Sequence, residues 1–429
     1  LAKKQVKMKE DFLHYLWRTR RFDLSDLYAT DGRPLFIVEP GEYNRHAGPD
    51  FLHARVRIDD TLWAGNVEMH LRASEWLQHG HQHDAAYDNV ILHVVLEEDK
   101  PIFRANGERI ACLELKRRIP PRLSGTYLQL LHAENWIPCQ RHFEAVEDTT
   151  KMLWLDRLLV ERLEEKTERL AARLEAATYD WEEVFYQSLA ANFGTNINAA
   201  PFDVLARSLP LKLLSKHRNS LLQIEALIFG QAGMLDGTFT DDYPRRLCEE
   251  YRFLKKKYKL IPIEPAMWKF LRLRPANFPT VRLAQLSALL FGGEHLFSKT
   301  LAAADFREIE RLFDLRVSLY WLDHYVFDKP SIRRPKPLGH DAIRLITANT
   351  IVPFLFLYGA HKHEERYKEK ALQLLEALPA EANHVMEGWK KLDCIARNAY
   401  QSQALLQLKQ KYCDRKRCLE CAIGNAIMK

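Results

Sequence analysis

No run of about 20 uninterrupted apolar residues, the length a helix needs to cross a bilayer, occurs among the 429 residues. The first residues, LAKKQVKMKEDFLHYLW, place charges where a secretory leader carries its apolar stretch. These two absences lead to the expectation of a cytoplasmic protein with no membrane partner. Cysteine is scarce. Seven residues, an odd number in a chain this long, do not make the disulfide framework of a small secreted scaffold, which leaves thiols or metal ligands. A Gly-rich phosphate loop, a dinucleotide fingerprint, a G-x-S-x-G elbow and an H-E-x-x-H helix are all missing, which removes the commonest competing enzyme classes. Low-complexity segments are missing too. With 47% hydrophobic and 28% charged residues the composition is that of a globular chain, and its length predicts two or three domains. A net charge of +6 allows an anionic partner but suits many enzymes of small metabolites equally well.

The order of elements is more informative. From about Lys7 to Arg21 apolar residues recur at Phe12, Leu13, Leu16 and Trp17, a helical spacing. Short β-rich runs follow, PLFIVEPGEYN, DFLHARVRIDD, TLWAGNVEMHL, NVILHVVLEED and GERIACLELKRR, separated by turn residues such as Asp31-Gly32 and Asn106-Gly107. Between the third and fourth lies ASEWLQHGHQHDAAYD, read as a helical turn plus loop with Ser74 as its cap. In NVEMHLR, Val67, Met69 and Leu71 fall on one face and Asn66, Glu68, His70 and Arg72 on the other, as in a strand with one wet face. NVILHVVL is apolar on both faces and reads as a central strand. The expectation is an α/β domain over residues 1–145 with a mixed sheet in αβββαβ order. A mostly α-helical domain follows over 146–390, opening with the amphipathic run KMLWLDRLLVERLEEKTERLAARLEA. Within it QIEALIFGQAGML at Gln223 recurs as QLSALLFGGEHLF at Gln285, a pattern of internal duplication. KPSIRRPKPLGH reads as an exposed connection, and residues 391–429 as a helical cysteine-bearing tail.

Cleaving a phosphodiester with a divalent metal takes hard oxygen ligands, a group that orients water, and positive charge near the developing phosphorane. Gly48-Pro49-Asp50 opens one strand and Glu68-Met69-His70 lies on the next, so Asp50 and Glu68 can meet across a hairpin. Asp50 shares strand parity with the apolar Leu52 and Ala54, which calls for a bend after Gly48-Pro49 to aim it. The loop GEYNRHAGPDF carries Glu42, Asn44, Arg45 and His46 in a turn-rich setting typical of active-site loops.

This arrangement over the first quarter of the chain resembles the PD-(D/E)xK phosphodiesterases, a superfamily with a restriction-endonuclease-like fold. The resemblance implies that Asp50 and Glu68 bind Mg2+ or Mn2+ and that a glutamate of the first helix, with Glu10 the nearest match, assists them. His70 stands where that motif has lysine. Either the histidine takes over water orientation, Arg72 supplies the charge, or the site is inactive. The chain as a whole also resembles an uncharacterised bacterial family in which GPDF, GNVEMH, AYDNVILHVV and the cysteine tail occur together, and which carries no function to transfer.

His79, His81 and His83 are a second candidate metal set, or else exposed residues or contacts to a substrate phosphate; His93 reads as a satisfied core histidine. Cys413, Cys418 and Cys421 form a C-x4-C-x2-C pattern suited to zinc or an iron–sulfur cluster, with Cys394 the favoured fourth ligand and Cys139 the alternative. Basic groups include Arg18, Arg20, Arg21, Lys255 to Lys257, Arg272, Arg274, Arg282, Arg333, Arg334 and Arg415 to Arg417, with Trp268, Phe278 or Tyr412 available for stacking on bases. The expected function is a metal-dependent nuclease acting on DNA or RNA. Asp50, Glu68, His70 and Arg72 would be catalytic, and Asn44, Arg45, His46, His81 and Arg274 would bind substrate. The alternatives are a non-catalytic nucleic-acid-binding or assembly protein with a degenerate core, and a hydrolase of small metabolites, which would show a compact apolar pocket at the histidine loop and no basic groove.

Overall fold

The computed structural model describes residues 8–429. They divide into two compact units, one running up to Leu155 and including Lys391–Asp393 and Gln407–Lys429, the other made of Asp156–Lys390 and Cys394–Leu406.

The first unit opens with helix α1, Glu10–Thr19. Lys7, where the spacing placed the start, lies outside the described residues. Glu10 and Asp11 in its first turn and Arg18 in its last match the helix dipole, and Arg20, in the left-handed region, closes it by donating its N–H to the Leu16 and Trp17 carbonyls. Phe12, Leu13, Leu16 and Trp17 are fully buried, so the apolar stripe read from the sequence is the packed face.

Strands β1 (Leu35–Glu39), β2 (Glu42–Tyr43), β3 (Phe51–Ile58) and β4 (Thr61–Arg72) come next, then the short helix α2 (Glu75–Gln78), strands β5 (Val90–Glu97) and β6 (Cys112–Glu114), and helix α3 (Pro121–His132). The sheet order is β1-β3-β4-β5-β6 with β2 paired to the start of β3. β1, β3 and β4 form an antiparallel meander, while β4–β5 and β5–β6 are parallel. A parallel neighbour needs a crossover, and α2 with the two turns His81–His83 and Ala85–Tyr87 supplies it. The expected mixed sheet followed by a mostly helical part is therefore the observed architecture. Strand β5 is buried on both faces from Val90 to Val95, as its composition predicted.

β4 departs from expectation. Its alternation predicted one wet face, yet Glu68 and His70 are only 5% and 1% exposed. The period of two says which side chains share a face and nothing about what covers it. The α2 segment does the covering: Trp76 packs with Ala73, Val95 and Ile110 and sets its ring edge-on to those of His70 and His81.

The second unit is almost wholly helical. The two recurring phrases fall on helices Leu221–Gln231 and Pro279–Gly292, which pack on each other. Segment 331–339 is irregular and mostly exposed, but Lys336 is buried with its ammonium on the Leu322 and Trp321 carbonyls. One described helix, His340–Lys362, is long and apolar enough to cross a membrane; an 18-residue window of it has a mean hydropathy of 1.4 and is 61% buried inside the protein.

Candidate metal centre

Two backbone devices deliver Asp50. Gly48 takes a φ of 102°, open only to glycine at low cost, and the loop behind it is held by Asn44, whose amide donates to the carbonyls of Ala47 and Pro49 while its oxygen accepts from the His46 N–H. A bulge then interrupts β3. Phe51 pairs with Val67 but Ala54 with Gly65, and the extra residue sits near His53 at φ 59°. The bulge resets the strand parity, so Asp50 is not bound to the face of Ala54 and ends opposite Glu68. The two residues are laced together: the Asp50 N–H donates to Glu68 Oε2 at 3.1 Å and the Met69 N–H to Asp50 Oδ2 at 3.0 Å.

Helix α1 adds two groups, one turn apart on one face. His14 Nε2 lies 3.1 Å from Asp50 Oδ2. Burial pulls the His14 pKa down, but the hydrogen bond and charge of Asp50 outweigh it and the net shift is upward. Burial, then the Asp50 charge, pushes the Glu10 carboxyl up to about 7. The same two causes raise the Glu68 carboxyl further, so it keeps its proton at neutral pH.

On the other side of Glu68 stand three imidazoles. His70 Nε2 is 3.2 Å from His79 Nδ1 and 3.6 Å from Glu68 Oε1, and His81 Nε2 is 3.3 Å from Glu68 Oε1. Gly80, at φ 78°, turns the chain so that His79 and His81 face the same point, and His81 is fixed by stacking on Tyr87 at 3.8 Å. Donors at 2.0–2.1 Å around a tetrahedral ion stand about 3.4 Å apart, close to the 3.2–3.6 Å separating His70 from His79, His70 from Glu68 and His81 from Glu68. Apart from the approach of Glu68 Oε1, His81 Nε2 is buried with no hydrogen bond, as an atom meant for a metal would be. Among the described residues, His70, His79 and His81 are the one group of three or more such donors within 4.8 Å of one another.

His93, read as a satisfied core histidine, is fully buried but not satisfied. Its Nε2 is 2.8 Å from His70 Nδ1 and its Nδ1 has no partner. Burial and the neighbouring imidazoles hold His70 down to about 2 and His93 to about 3, so both are neutral, the form in which imidazole binds a metal.

The other sequence candidates distribute as follows. Arg72 is exposed at the end of β4, where its N–H donates to Glu75 Oε2. His83 and His46 are exposed. Arg274 is exposed and belongs to the second unit. Trp268 and Tyr412 are buried and so unavailable to stack on bases. A cleft of about 730 Å³ in the first unit is lined by His14, Tyr43 and Tyr127, by Lys9, Arg18, Arg45, Arg415, Lys416 and Arg417, and by the acids Asp11, Asp414 and Glu420. Six cations against three carboxylates make it basic. His14 escaped sequence reading, though its i, i+4 spacing from Glu10 was a usable signal.

The family described as Protein of unknown function (DUF2851) matches residues 10–384. The chain belongs to this family. No curated protein and no solved structure matches it. The DUF2851 match begins at Glu10 and takes in every residue of the centre, while Cys413, Cys418 and Cys421 lie beyond its end.

Proposed function

We propose that the first unit is a metal-dependent phosphodiesterase acting on DNA or RNA, with a restriction-endonuclease-like core. The observation that carries the reading is the meeting of Asp50 and Glu68 across β3–β4 with Glu10 and His14 brought in by α1. Helix, antiparallel meander, crossover and parallel strand follow in the order that core requires. The basic cleft that His14 lines, with Tyr43 and Tyr127 in its wall, supports an anionic polymer over a small metabolite.

The residues assign themselves roles different from those their spacing suggested. His70 is locked between His93 and His79 and serves as a metal ligand, with Glu68, His79 and His81 completing the set. Imidazole donors favour Mn2+ or Zn2+ over Mg2+. Asp50 places a second carboxylate beside the ion, and Glu10, poised near neutrality, takes the proton of the attacking water. Arg18 and Arg45 in the cleft replace Arg72 as the charge that meets the phosphate. A cytoplasmic location belongs to the same proposal.

Labelled single- and double-stranded DNA and RNA incubated with the whole chain and Mn2+ will be cut, and Glu68→Ala will abolish cutting. No cleavage by wild type, or equal cleavage by the variant, sinks the reading. A second reading rests on His70 in the place of the motif lysine: the centre has lost catalysis and the cleft only binds nucleic acid, which gives salt-sensitive binding without turnover.

A further inference from the structure

Far from the histidine centre in sequence, the end of the chain folds into the first unit as a π-helical turn, Leu408–Cys413, a short turn, Cys418–Glu420, and a terminal helix, Ala422–Ile427. Each of its three cysteines stands at a junction between these pieces. Cys413 closes the first, Cys418 opens the second, and Cys421 caps the third. The fold between them is tight. Lys416 adopts the left-handed region at φ 53°, and Gly424 comes so close that an added Cβ would sit 2.2 Å from the Cys418 carbonyl oxygen.

The fourth thiol is Cys139, at the head of the turn Gln140–His142. Cys139, Cys413 and Cys421 are buried and Cys418 is half-buried. Cys139 lies within electrostatic reach of Cys421 and Cys418, and Cys413 within reach of all three others, so the four are neighbours. Cys394, favoured on sequence distance, belongs instead to the second unit, where its N–H donates to the Trp389 carbonyl. All four thiols remain reduced in the fold.

We infer that Cys139, Cys413, Cys418 and Cys421 ligate an iron–sulfur cluster. Four neighbouring thiols, three of them buried and one half-buried, with no disulfide among them have a clear use as ligands. Spacing separates the two metal candidates. A single tetrahedral zinc, with Zn–S of about 2.3 Å, draws its sulfurs to about 3.8 Å from one another. No three of these sulfurs come within 4.8 Å of one another, the spacing that the histidine centre does meet. A polynuclear cluster holds its cysteines farther apart, because each binds a different corner. Burial pushes all four thiols up and so favours their protonated forms in the metal-free protein; the N–H groups of Ile423 and Gly424 at Cys421, and the Lys409 and Lys416 ammonium groups near Cys413 and Cys418, offset part of that cost. Each thiol gives its proton to solvent as its bond to iron forms, and the cluster pins residues 407–429 to the segment that follows α3.

The whole chain purified without oxygen will be brown and will carry iron and acid-labile sulfide in equal amounts, about four of each for a cubane cluster. Cys139→Ser and Cys421→Ser will lose most of the iron and the visible absorption, while Cys394→Ser and Cys248→Ser keep both. Stoichiometric zinc without iron, or neither metal with all four thiols freely alkylated in the native wild type, overturns the inference. So does equal iron loss in Cys394→Ser. The wild-type metal analysis decides the matter even where a variant fails to fold, and it is independent of whether the chain cuts nucleic acid.

Discussion

Replacing Glu68 by glutamine separates the two demands placed on that side chain. At pH 7 an unfolded glutamate with its ordinary pKa of 4.5 is ionised, whereas the buried Glu68, beside the Asp50 charge, holds its proton. Folding must therefore protonate it, at a cost of about 1.4 kcal/mol per pH unit, or about 3 kcal/mol in all. The sign follows from the proton count: above pH 4.5 the folded state binds the extra proton, so wild-type stability falls as pH rises through neutrality toward the raised folded value. Glutamine has the same shape and no proton to bind. In urea titrations with EDTA at pH 7, Glu68→Gln should be more stable than wild type by about 1–3 kcal/mol, with the gap vanishing near pH 4. Mn2+ reverses the ranking. Metal at 100 times its Kd stabilises wild type by about 2.7 kcal/mol, and the variant, lacking a ligand, gains far less. A variant that is less stable than wild type in EDTA, or that gains as much from Mn2+, refutes both the buried neutral carboxyl and its role as a ligand.

The contact between His93 and His70 makes a further test. On the proposed metal site His93 would act only through His70, so His93→Leu should keep the fold, which already leaves Nδ1 unpaired, and weaken Mn2+ or Zn2+ binding 10–100-fold by calorimetry; unchanged affinity would show that His93 positions nothing. In the cleft, Arg45→Ala and Arg415→Ala should each lower the slope of log K against log salt for single-stranded DNA by about 1. Slopes equal to wild type would place the nucleic acid elsewhere on the molecule.

Sequence by itself determined the element order of the first unit, because side-chain periodicity and turn residues are local: Phe12, Leu13, Leu16 and Trp17 for α1, the doubly apolar run for β5, and the opposition of Asp50 and Glu68 across one short hairpin. It could also name the histidines and cysteines as groups fit to bind metals. Tertiary structure alone decided which of them meet. The bulge near His53 changes parity in a way no alternation reveals, and Gly80 folds His79 and His81 over the face of β4 that its pattern had assigned to water. His93 turned from core residue to His70's partner because parallel pairing of β4 with β5 sets it beside Glu68, a register written in neither strand. In the proposed cysteine site Cys139 stands where sequence distance favoured Cys394, because nearness along the chain sets a loop-closure cost that rises only slowly with length and packing easily overrides it.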